Sequence, residues 1–329
     1  MNKNLALEFV RITEAGALAS ARWMGKGDKN SADDAAVKAM RDHFKFLDID
    51  GTVVIGEGER DEAPMLYIGE KVGNGTGRKV DIAVDPLECT NSVAYGRPNA
   101  ISVLAAAPGG TLLHAPDTYM DKIAVGPEAV GVIDLDAPVE KNLNAIAKAK
   151  GMEVRDLMVV VLDRDRHAKL IEDIRRAGAR ITLIPDGDIS GAIAPSMPHI
   201  DIDVLMGIGA APEGVIAATA IKCLGGEMQA RLSFRNEEEK VRAKKMGLSQ
   251  ADMAKKMTAD DLANTTNSIF AATGVSTGPL LRGVDFTKWG AKTFSLVMRE
   301  KSKTVRFIET HHKFKHDPDY ALKSDIKNE

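Results

Sequence analysis

Cysteine is scarce in this chain of 329 residues, where only Cys89 and Cys223 are present. A small disulfide-stabilised fold needs several cysteine pairs and a structural zinc site needs several thiolates, so the composition argues against both. So few thiols are typical of the reducing cytoplasm, where we expect the protein to work.

Long hydrophobic runs and an excess of charge are also lacking. No apolar stretch approaches the roughly 18 residues that a membrane helix needs. The first residues lead into a helix interrupted by charges, so we expect no signal peptide. A net charge of -3 argues against nucleic acid or an anionic membrane as a partner.

The order of the predicted elements changes along the chain. Apolar residues at helical spacing predict a helix over 5–23, and several strands follow later with little helix between them. Strands and helices then alternate, as in an α/β fold with a parallel sheet. We predict a metal-binding half in 1–150, whose mixed or antiparallel sheet is extended by strands in 265–312. We predict a second, α/β half in 151–264, with a mostly parallel sheet and substrate-binding loops.

The segment from Val80 to Thr90 carries the densest chemistry. Alternating apolar residues predict a half-buried strand, and Pro86 predicts that the strand stops and a helix begins. Asp85 and Glu88 would then share one face of a first helical turn and hold a hard cation together. The alternative is a capped helix with acids near its positive end.

Three further acids stand near the ends of predicted elements. Asp33 falls in a first helical turn, where stabilisation by the helix dipole is the alternative interpretation. Glu57 follows a short strand between two glycines, which allow close approach of the backbone to a ligand. Glu213 follows another strand, and ligands of parallel sheets collect at the carboxyl ends of strands.

These acids and two arginines point to one kind of reaction. Five carboxylates in one cleft would repel one another unless cations lay among them. Oxygen ligands without histidine or cysteine select Mg²⁺ or Mn²⁺. Arg164 and Arg166 can hold a phosphate bidentately while a metal ion activates water. The combination predicts metal-assisted hydrolysis of a phosphate ester.

Several sequence blocks resemble one known family. The segment from Asp85 to Thr90 resembles the D-P-[IL]-[DE]-G-T signature of the lithium-sensitive, metal-dependent phosphatase superfamily, and the closer resemblance is to class II fructose-1,6-bisphosphatase. The supporting blocks are GKGDKNSAD (25–33), VIGEGE (54–59), DEAPMLYIGEKVG (61–73), APDTYM (115–120), IPDGD (184–188) and GIGAAPEGV (207–215). The resemblance covers nearly the whole chain, from about residue 3 to 312.

The resemblance implies a layered α/β/α/β/α sandwich of the sugar phosphatase type. It implies hydrolysis of the 1-phosphate of fructose 1,6-bisphosphate to fructose 6-phosphate in gluconeogenesis, by a homo-oligomer. The implied ligands of Mn²⁺ or Mg²⁺ are Asp33, Glu57, Asp85, Glu88 and Glu213. The implied catalytic residues are Thr90, which would orient or help deprotonate the attacking water, Glu57 and Asp85. The implied substrate-binding residues are Glu88, Cys89, Thr90, Tyr119, Arg164, Asp165, Arg166, Asp186, Gly187, Asp188 and Ala210.

Three positions depart from the family pattern. Cys89 replaces a glycine, so its side chain would crowd the phosphate or restrict the turn, and we expect Cys89→Gly to be more active. Unchanged or lower turnover in that variant would contradict this steric interpretation. Asp165 replaces a proline between the two arginines, and Asp34 follows Asp33 where a small residue is more usual.

Alternatives remain open from the sequence alone. Dual hydrolysis of sedoheptulose 1,7-bisphosphate is the nearest, followed by an inositol-monophosphatase-like activity. A sugar-phosphate binding protein whose catalysis lapsed through Cys89 belongs to a different class. The ring of Tyr119 has the alternative of simple packing. The histidines at 311, 312 and 316 form a tail cluster that we expect to be solvated rather than metal-binding.

Overall fold

A computed structural model describes residues 5–58 and 65–315. The helices are α1 (Leu5–Ala21), α2 (Lys29–Phe44), α3 (Thr90–Ala94), α4 (Val139–Lys150), α5 (Ala168–Ala177), α6 (Asp188–Ile193), α7 (Ala211–Leu224), α8 (Glu237–Lys245), α9 (Gln250–Ala254) and α10 (Ala259–Leu262). The strands are β1 (Ile49–Ile55), β2 (Lys71–Val72), β3 (Arg78–Glu88), β4 (Ile101–Pro108), β5 (Tyr119–Val125), β6 (Met158–Leu162), β7 (Arg180–Ile184), β8 (Val204–Ala210), β9 (Glu227–Ser233), β10 (Met257–Thr258), β11 (Ile269–Gly274), β12 (Asp285–Thr287), β13 (Gly290–Arg299) and β14 (Thr304–Lys313). No helix in these ranges has both the length and the apolar character needed to cross a bilayer.

The chain forms two compact units. Of the described residues, the first unit comprises 5–58, 65–109, 269–299 and 304–315, and the second comprises 110–268 and 300–303. Each unit carries its own mixed sheet and helices, so the predicted α/β class is confirmed.

The first unit is built on a sheet with the strand order β12-β13-β11-β4-β3-β1-β2, in which β14 also pairs with β13. Strands β1 and β3 run parallel, whereas β3, β4, β11 and β13 are successively antiparallel. The predicted N-terminal helix is present as α1, whose Phe9 and Ile12 are fully buried with Met40 of α2 and Ile82 of β3. Burial of these side chains at helical spacing places the core of the unit between α1, α2 and the sheet.

The central segment differs from its prediction in one respect. Strand β3 does not stop at Pro86 but continues to Glu88, and α3 begins at Thr90. The register against β4 shifts between Asp85 and Glu88. A proline is tolerated in a strand at such an irregularity because the ladder lacks a hydrogen bond there. Asp85 and Glu88 therefore lie on an irregular strand end rather than on a helical turn.

The second unit is built on a sheet with the order β10-β9-β5-β8-β6-β7. Strands β6, β7 and β8 are parallel, as the alternation of strands and helices predicted. Strand β5 is antiparallel to both β8 and β9, so it separates two strands that point the same way. These pairings join residues 110–150, which we expected in the N-terminal half, to the second unit. Strand β10 is antiparallel to β9.

His312 is buried rather than solvated. Its side chain on β14 is 2% exposed, and its Nε2 lies 2.9 Å from the hydroxyl of Thr293. That hydroxyl donates its single hydrogen to Glu14 of α1 at 3.0 Å, so the ring nitrogen of His312 is the donor to Thr293. His311 is exposed and pairs with Glu309, whereas His316 lies outside the described residues. The expected solvated histidine cluster is thus wrong for His312.

His312 makes the stability of the fold depend on pH. Burial, together with the neighbouring His311, lowers the pKa of His312 to about 4. The unfolded chain therefore binds this proton more readily, and the free energy of unfolding should fall as the pH drops from about 6.5 towards 4. We expect a loss of about 3 kcal/mol from this residue, measured by urea unfolding across that range.

The matched variant is His312→Gln, which keeps an N–H donor for Thr293 but does not titrate. Its unfolding free energy should fall less steeply over the same pH range than that of the natural chain. Equal slopes for the two proteins would contradict the assignment.

Candidate active site

Asp33 and Glu57 meet in the first unit. Asp33 lies near the start of α2, which is capped by Asp28 through a 3.0 Å hydrogen bond from the backbone N–H of Ser31. The side chains of Asp33 and Glu57 are hydrogen-bonded to each other. Burial raises the pKa of Asp33 to about 6 despite that hydrogen bond, and the adjacent Asp34 adds to the rise. Two carboxylates in contact require a shared proton or a cation between them.

Close backbone contacts hold Glu57 in position after β1. Its N–H donates to the carbonyl of Leu66 at 3.1 Å. A Cβ atom added at Gly56 would lie 2.0 Å from that same carbonyl oxygen, so only glycine fits beside the turn. The residues from 59 to 64 lie outside the described part of the chain.

The end of β3 presents the acids of the signature segment. One carboxylate oxygen of Asp85 accepts a hydrogen bond from the backbone N–H of Leu87 at 3.1 Å, which orients the side chain across the irregular strand end. Glu88 is buried, and Thr90 is the first residue of α3. Asp33, Glu57, Asp85, Glu88 and Thr90 all belong to the first unit.

Cys89 adopts a left-handed backbone conformation, with φ 69° and ψ 49°. A side chain costs about 1–2 kcal/mol in this region, which glycine enters freely. The thiol is buried in a cluster that contains Leu87 and Val93. The steric demand of the turn expected from the sequence is therefore present, and the thiol packs against apolar side chains.

In the second unit, Lys122 neutralises a buried acidic group. Its side chain on β5 is 2% exposed, forms an ion pair with Asp188, and donates to the carbonyl of Ala210 at 2.9 Å. Glu213 lies close enough to sense both charges. Burial and the neighbouring Asp188 raise the pKa of Glu213 to about 7, and Lys122 opposes this rise. The Oε2 atom of Glu213 is buried without a hydrogen-bond partner among the described residues.

Sequence reasoning missed Lys122. The available signal was a lysine between apolar residues within the short strand β5. Such a lysine is rarely buried unless it is paired, so its presence predicts an acidic partner. Its pairing with Asp188 uses one carboxylate oxygen of that residue, which the family resemblance implies in substrate binding.

A second group of predicted residues lies at the carboxyl ends of β6, β7 and β8. Arg164 donates to Asp186 at 3.2 Å, and Arg166 donates to the carbonyl of Ile208 at 2.7 and 3.0 Å. The guanidinium carbon of Arg166 lies 4.5 Å from the centre of the Tyr119 ring. Tyr119 opens β5 and is in register with Ala210 at the end of β8. The ring is thus half-buried and contacts a cation, so it is not a fully buried core residue.

His167 fixes the loop that carries the two arginines. Its Nε2 accepts from the N–H of Ile208 at 2.8 Å, so its Nδ1 carries the hydrogen donated to the carbonyl of Leu162 at 2.7 Å. Burial, and then the nearby arginines, lower the pKa of His167. A neutral ring therefore ties the end of β6 to β8. A Cβ added at Gly207 would lie 2.9 Å from this ring.

The donor chemistry fits a hard divalent cation. In the described ranges, no group of three or more His, Cys, Asp or Glu side chains is arranged to hold a metal ion. The contacting carboxylates of Asp33 and Glu57 are nevertheless oxygen donors, and so is the buried Oε2 of Glu213, which has no hydrogen-bond partner among the described residues. Such donors suit Mg²⁺ or Mn²⁺ better than zinc or copper.

Comparison with known proteins shows similarity to one family along nearly the whole chain. A family model described as "Bacterial fructose-1,6-bisphosphatase, glpX-encoded" matches residues 3–312. A protein of Haemophilus influenzae named "Fructose-1,6-bisphosphatase class 2" is 48% identical over 325 residues, which cover 95% of this chain and 97% of that protein. "Fructose-1,6-bisphosphatase 1 class 2" of Escherichia coli (strain K12) is 46% identical over 336 residues, which cover 98% of this chain and 99% of that protein.

The left-handed conformation of Cys89 leads to a testable difference between two variants. Cys89→Gly and Cys89→Ala both remove the buried sulfur, but only the glycine also removes the Cβ from the strained turn. We expect the glycine variant to be more stable than the alanine variant by about 1 kcal/mol, measured by urea unfolding. An alanine variant as stable as the glycine variant would contradict the strain.

Proposed function

Because this chain belongs to the bacterial fructose-1,6-bisphosphatase family, we propose that it cleaves the 1-phosphate of fructose 1,6-bisphosphate, releasing fructose 6-phosphate and inorganic phosphate. The observation that carries this proposal is the match over nearly the whole chain, to relatives that are themselves covered almost completely. The chain is accordingly a phosphoric monoester hydrolase, and the reaction is a step of gluconeogenesis.

The family is metal-dependent, and we propose Mn²⁺ or Mg²⁺ as the ion. Asp33, Glu57, Asp85, Glu88 and Glu213 are the proposed ligands. The contact between Asp33 and Glu57 supports this assignment, since a divalent cation would relieve the repulsion between the two carboxylates. The buried Oε2 of Glu213 supports it independently. When bound, the metal supplies positive charge to the developing oxyanions and acidifies water.

The proposed catalytic groups of the protein itself are Thr90, Glu57 and Asp85. Thr90 lies at the turn between β3 and α3, where its hydroxyl can accept a hydrogen bond from a water molecule and so orient it for attack. Asp85 is held by the N–H of Leu87, so its side chain needs no reorganisation before it binds a ligand. Preorganisation of this kind lowers the barrier without adding strength to the binding of the substrate.

Substrate binding is proposed for the residues that the family resemblance implies. Arg164 and Arg166 supply positive charge for phosphate, and Asp186 orients Arg164. Asp188 has one oxygen on Lys122, which leaves the other for a sugar hydroxyl. The remaining proposed contacts come from Glu88, Cys89, Thr90, Tyr119, Asp165, Gly187 and Ala210. We also propose that the enzyme acts in the cytoplasm, because free cysteines such as Cys89 and Cys223 are typical of a reducing compartment. We propose that it assembles as a homo-oligomer.

A phosphate-release assay tests the proposed function. The substrates are fructose 1,6-bisphosphate, sedoheptulose 1,7-bisphosphate and fructose 1-phosphate, each with Mn²⁺, with Mg²⁺ and with a chelator. We expect the first substrate to be hydrolysed fastest and only with a metal ion. Equal turnover of the two bisphosphates would indicate a dual enzyme, and equal turnover of the monoester would indicate a less selective phosphatase. No release from any substrate would refute the proposal.

Replacing Glu57 by glutamine tests the proposed metal role. The variant should lose at least about 100-fold in kcat with either ion, because the amide removes one negative ligand. Binding of fructose 6-phosphate, measured by calorimetry, should survive. The matched control is Asp34→Asn, which removes an exposed acid beside a proposed ligand and should retain activity. Full activity of Glu57→Gln would exclude Glu57 as a ligand.

A further inference from the structure

Arg235 and Arg166 both contact the ring of Tyr119. Its guanidinium carbon lies 4.8 Å from the centre of the Tyr119 ring, and that of Arg166 lies 4.5 Å from it. Cations at such distances from an aromatic ring are attracted by its π electrons. Tyr119 therefore brings two guanidinium groups together in the second unit, and only one of them was expected from the sequence.

The sheet explains why Arg235 reaches this position. Tyr119 opens β5 and is in register with Ala210 at the end of β8 and with Ser233 at the end of β9. Arg235 follows the end of β9 by two residues. It therefore lies at the same edge as Arg166, which follows the carboxyl end of β6. Ligands of such sheets gather at this edge.

A buried carboxylate holds Arg235 in place. Glu239 on α8 is 1% exposed. One of its oxygens accepts from the Thr118 hydroxyl at 2.6 Å and from the backbone N–H of Arg235 at 2.8 Å. Its other oxygen accepts from Nε of the Arg235 side chain. Burial alone raises the pKa of Glu239, but these hydrogen bonds outweigh burial and hold that pKa below its usual value.

Apart from Glu239 and a hydrogen bond with the Tyr119 side chain, the Arg235 guanidinium is held only weakly. Nη2 is 3.4 Å from the carbonyl oxygen of Asp117 and 3.9 Å from its carboxylate, which is 73% exposed. An exposed ion pair at this distance contributes little. The arginine side chain is itself 41% exposed. A phosphate can therefore replace these contacts with shorter, charge-assisted hydrogen bonds.

We propose that Arg235 is a further substrate-binding residue, which acts with Arg166 on the phosphate of the sugar bisphosphate that is not cleaved, and that Glu239 is its positioning residue. This inference rests on the proposed function, in which the cleaved phosphate is assigned to the metal-binding carboxylates. The second phosphate then needs cations of its own, and two guanidiniums on one ring match its charge.

The test compares the kinetics of Arg235→Gln with those of the natural enzyme. For fructose 1,6-bisphosphate, KM should rise by about 10- to 100-fold while kcat falls less than about threefold, because the lost interaction is equal in the ground state and the transition state. The loss in kcat/KM should be at least about tenfold smaller for fructose 1-phosphate, which lacks the second phosphate. Arg235→Lys keeps the positive charge but not the planar guanidinium, so its KM for the bisphosphate should lie between those of the natural enzyme and Arg235→Gln.

The matched control is Arg242→Gln, because Arg242 also lies 3.4 Å from the Asp117 carbonyl but has no role in the proposal. It should leave the ratio between the two substrates unchanged. Glu239→Gln should raise KM for the bisphosphate, and it should add little when Arg235 is already glutamine, since it acts through that side chain.

The outcomes separate this inference from the proposed function. If the natural enzyme releases no phosphate from the bisphosphate, the proposed function fails. If it does, and Arg235→Gln leaves KM unchanged or lowers kcat equally for both substrates, Arg235 does not bind the second phosphate. Full additivity of the two substitutions would exclude positioning by Glu239.

Discussion

Compensation of buried carboxylates is the constraint on which both units depend. In the second unit, the ammonium group of Lys122 lies among Asp188, Glu213 and the carbonyl of Ala210. Removing one partner of such a buried pair costs about 3–5 kcal/mol, since the remaining charge is left uncompensated. In the first unit, Asp33 and Glu57 share a hydrogen bond, and burial raises the pKa of Asp33. The second unit thus compensates its buried acids with a lysine, and the first unit brings two acids into contact.

The proposed catalytic and binding residues lie at strand ends in each unit. Glu57 follows β1, and Asp85 to Thr90 form the end of β3 and the start of α3. The two arginines of the 164–166 loop follow β6 in the same way. Strand ends have backbone groups that the sheet does not use, so side chains there are oriented by turns and by single contacts such as that of Asp85 with Leu87. Cys89 shows the cost of this arrangement, because its turn demands a left-handed residue.

Much of the fold and of the candidate site could be predicted from local pattern. Helical spacing predicted α1, and the alternation of strands with helices predicted the parallel set β6, β7 and β8. The prediction that the strand ends at Pro86 was wrong, because the irregularity between Asp85 and Glu88 accommodates a proline within the strand. Local pattern also failed at His312, whose burial depends on α1 and β13 packing over it. Nor does local pattern predict the burial of Glu239, which lies in a segment rich in lysine and glutamate.

The sequence by itself determined the class of chemistry. Acids beside glycine or proline at element ends, and blocks shared with one family, depend only on neighbours along the chain. The tertiary structure alone decided which charges meet. Lys122 reaches Asp188, and Arg235 reaches Tyr119, because β5 lies between β8 and β9 in an antiparallel register. Hydrogen bonds between strands distant in sequence set that register, and no local pattern encodes which strand becomes the neighbour.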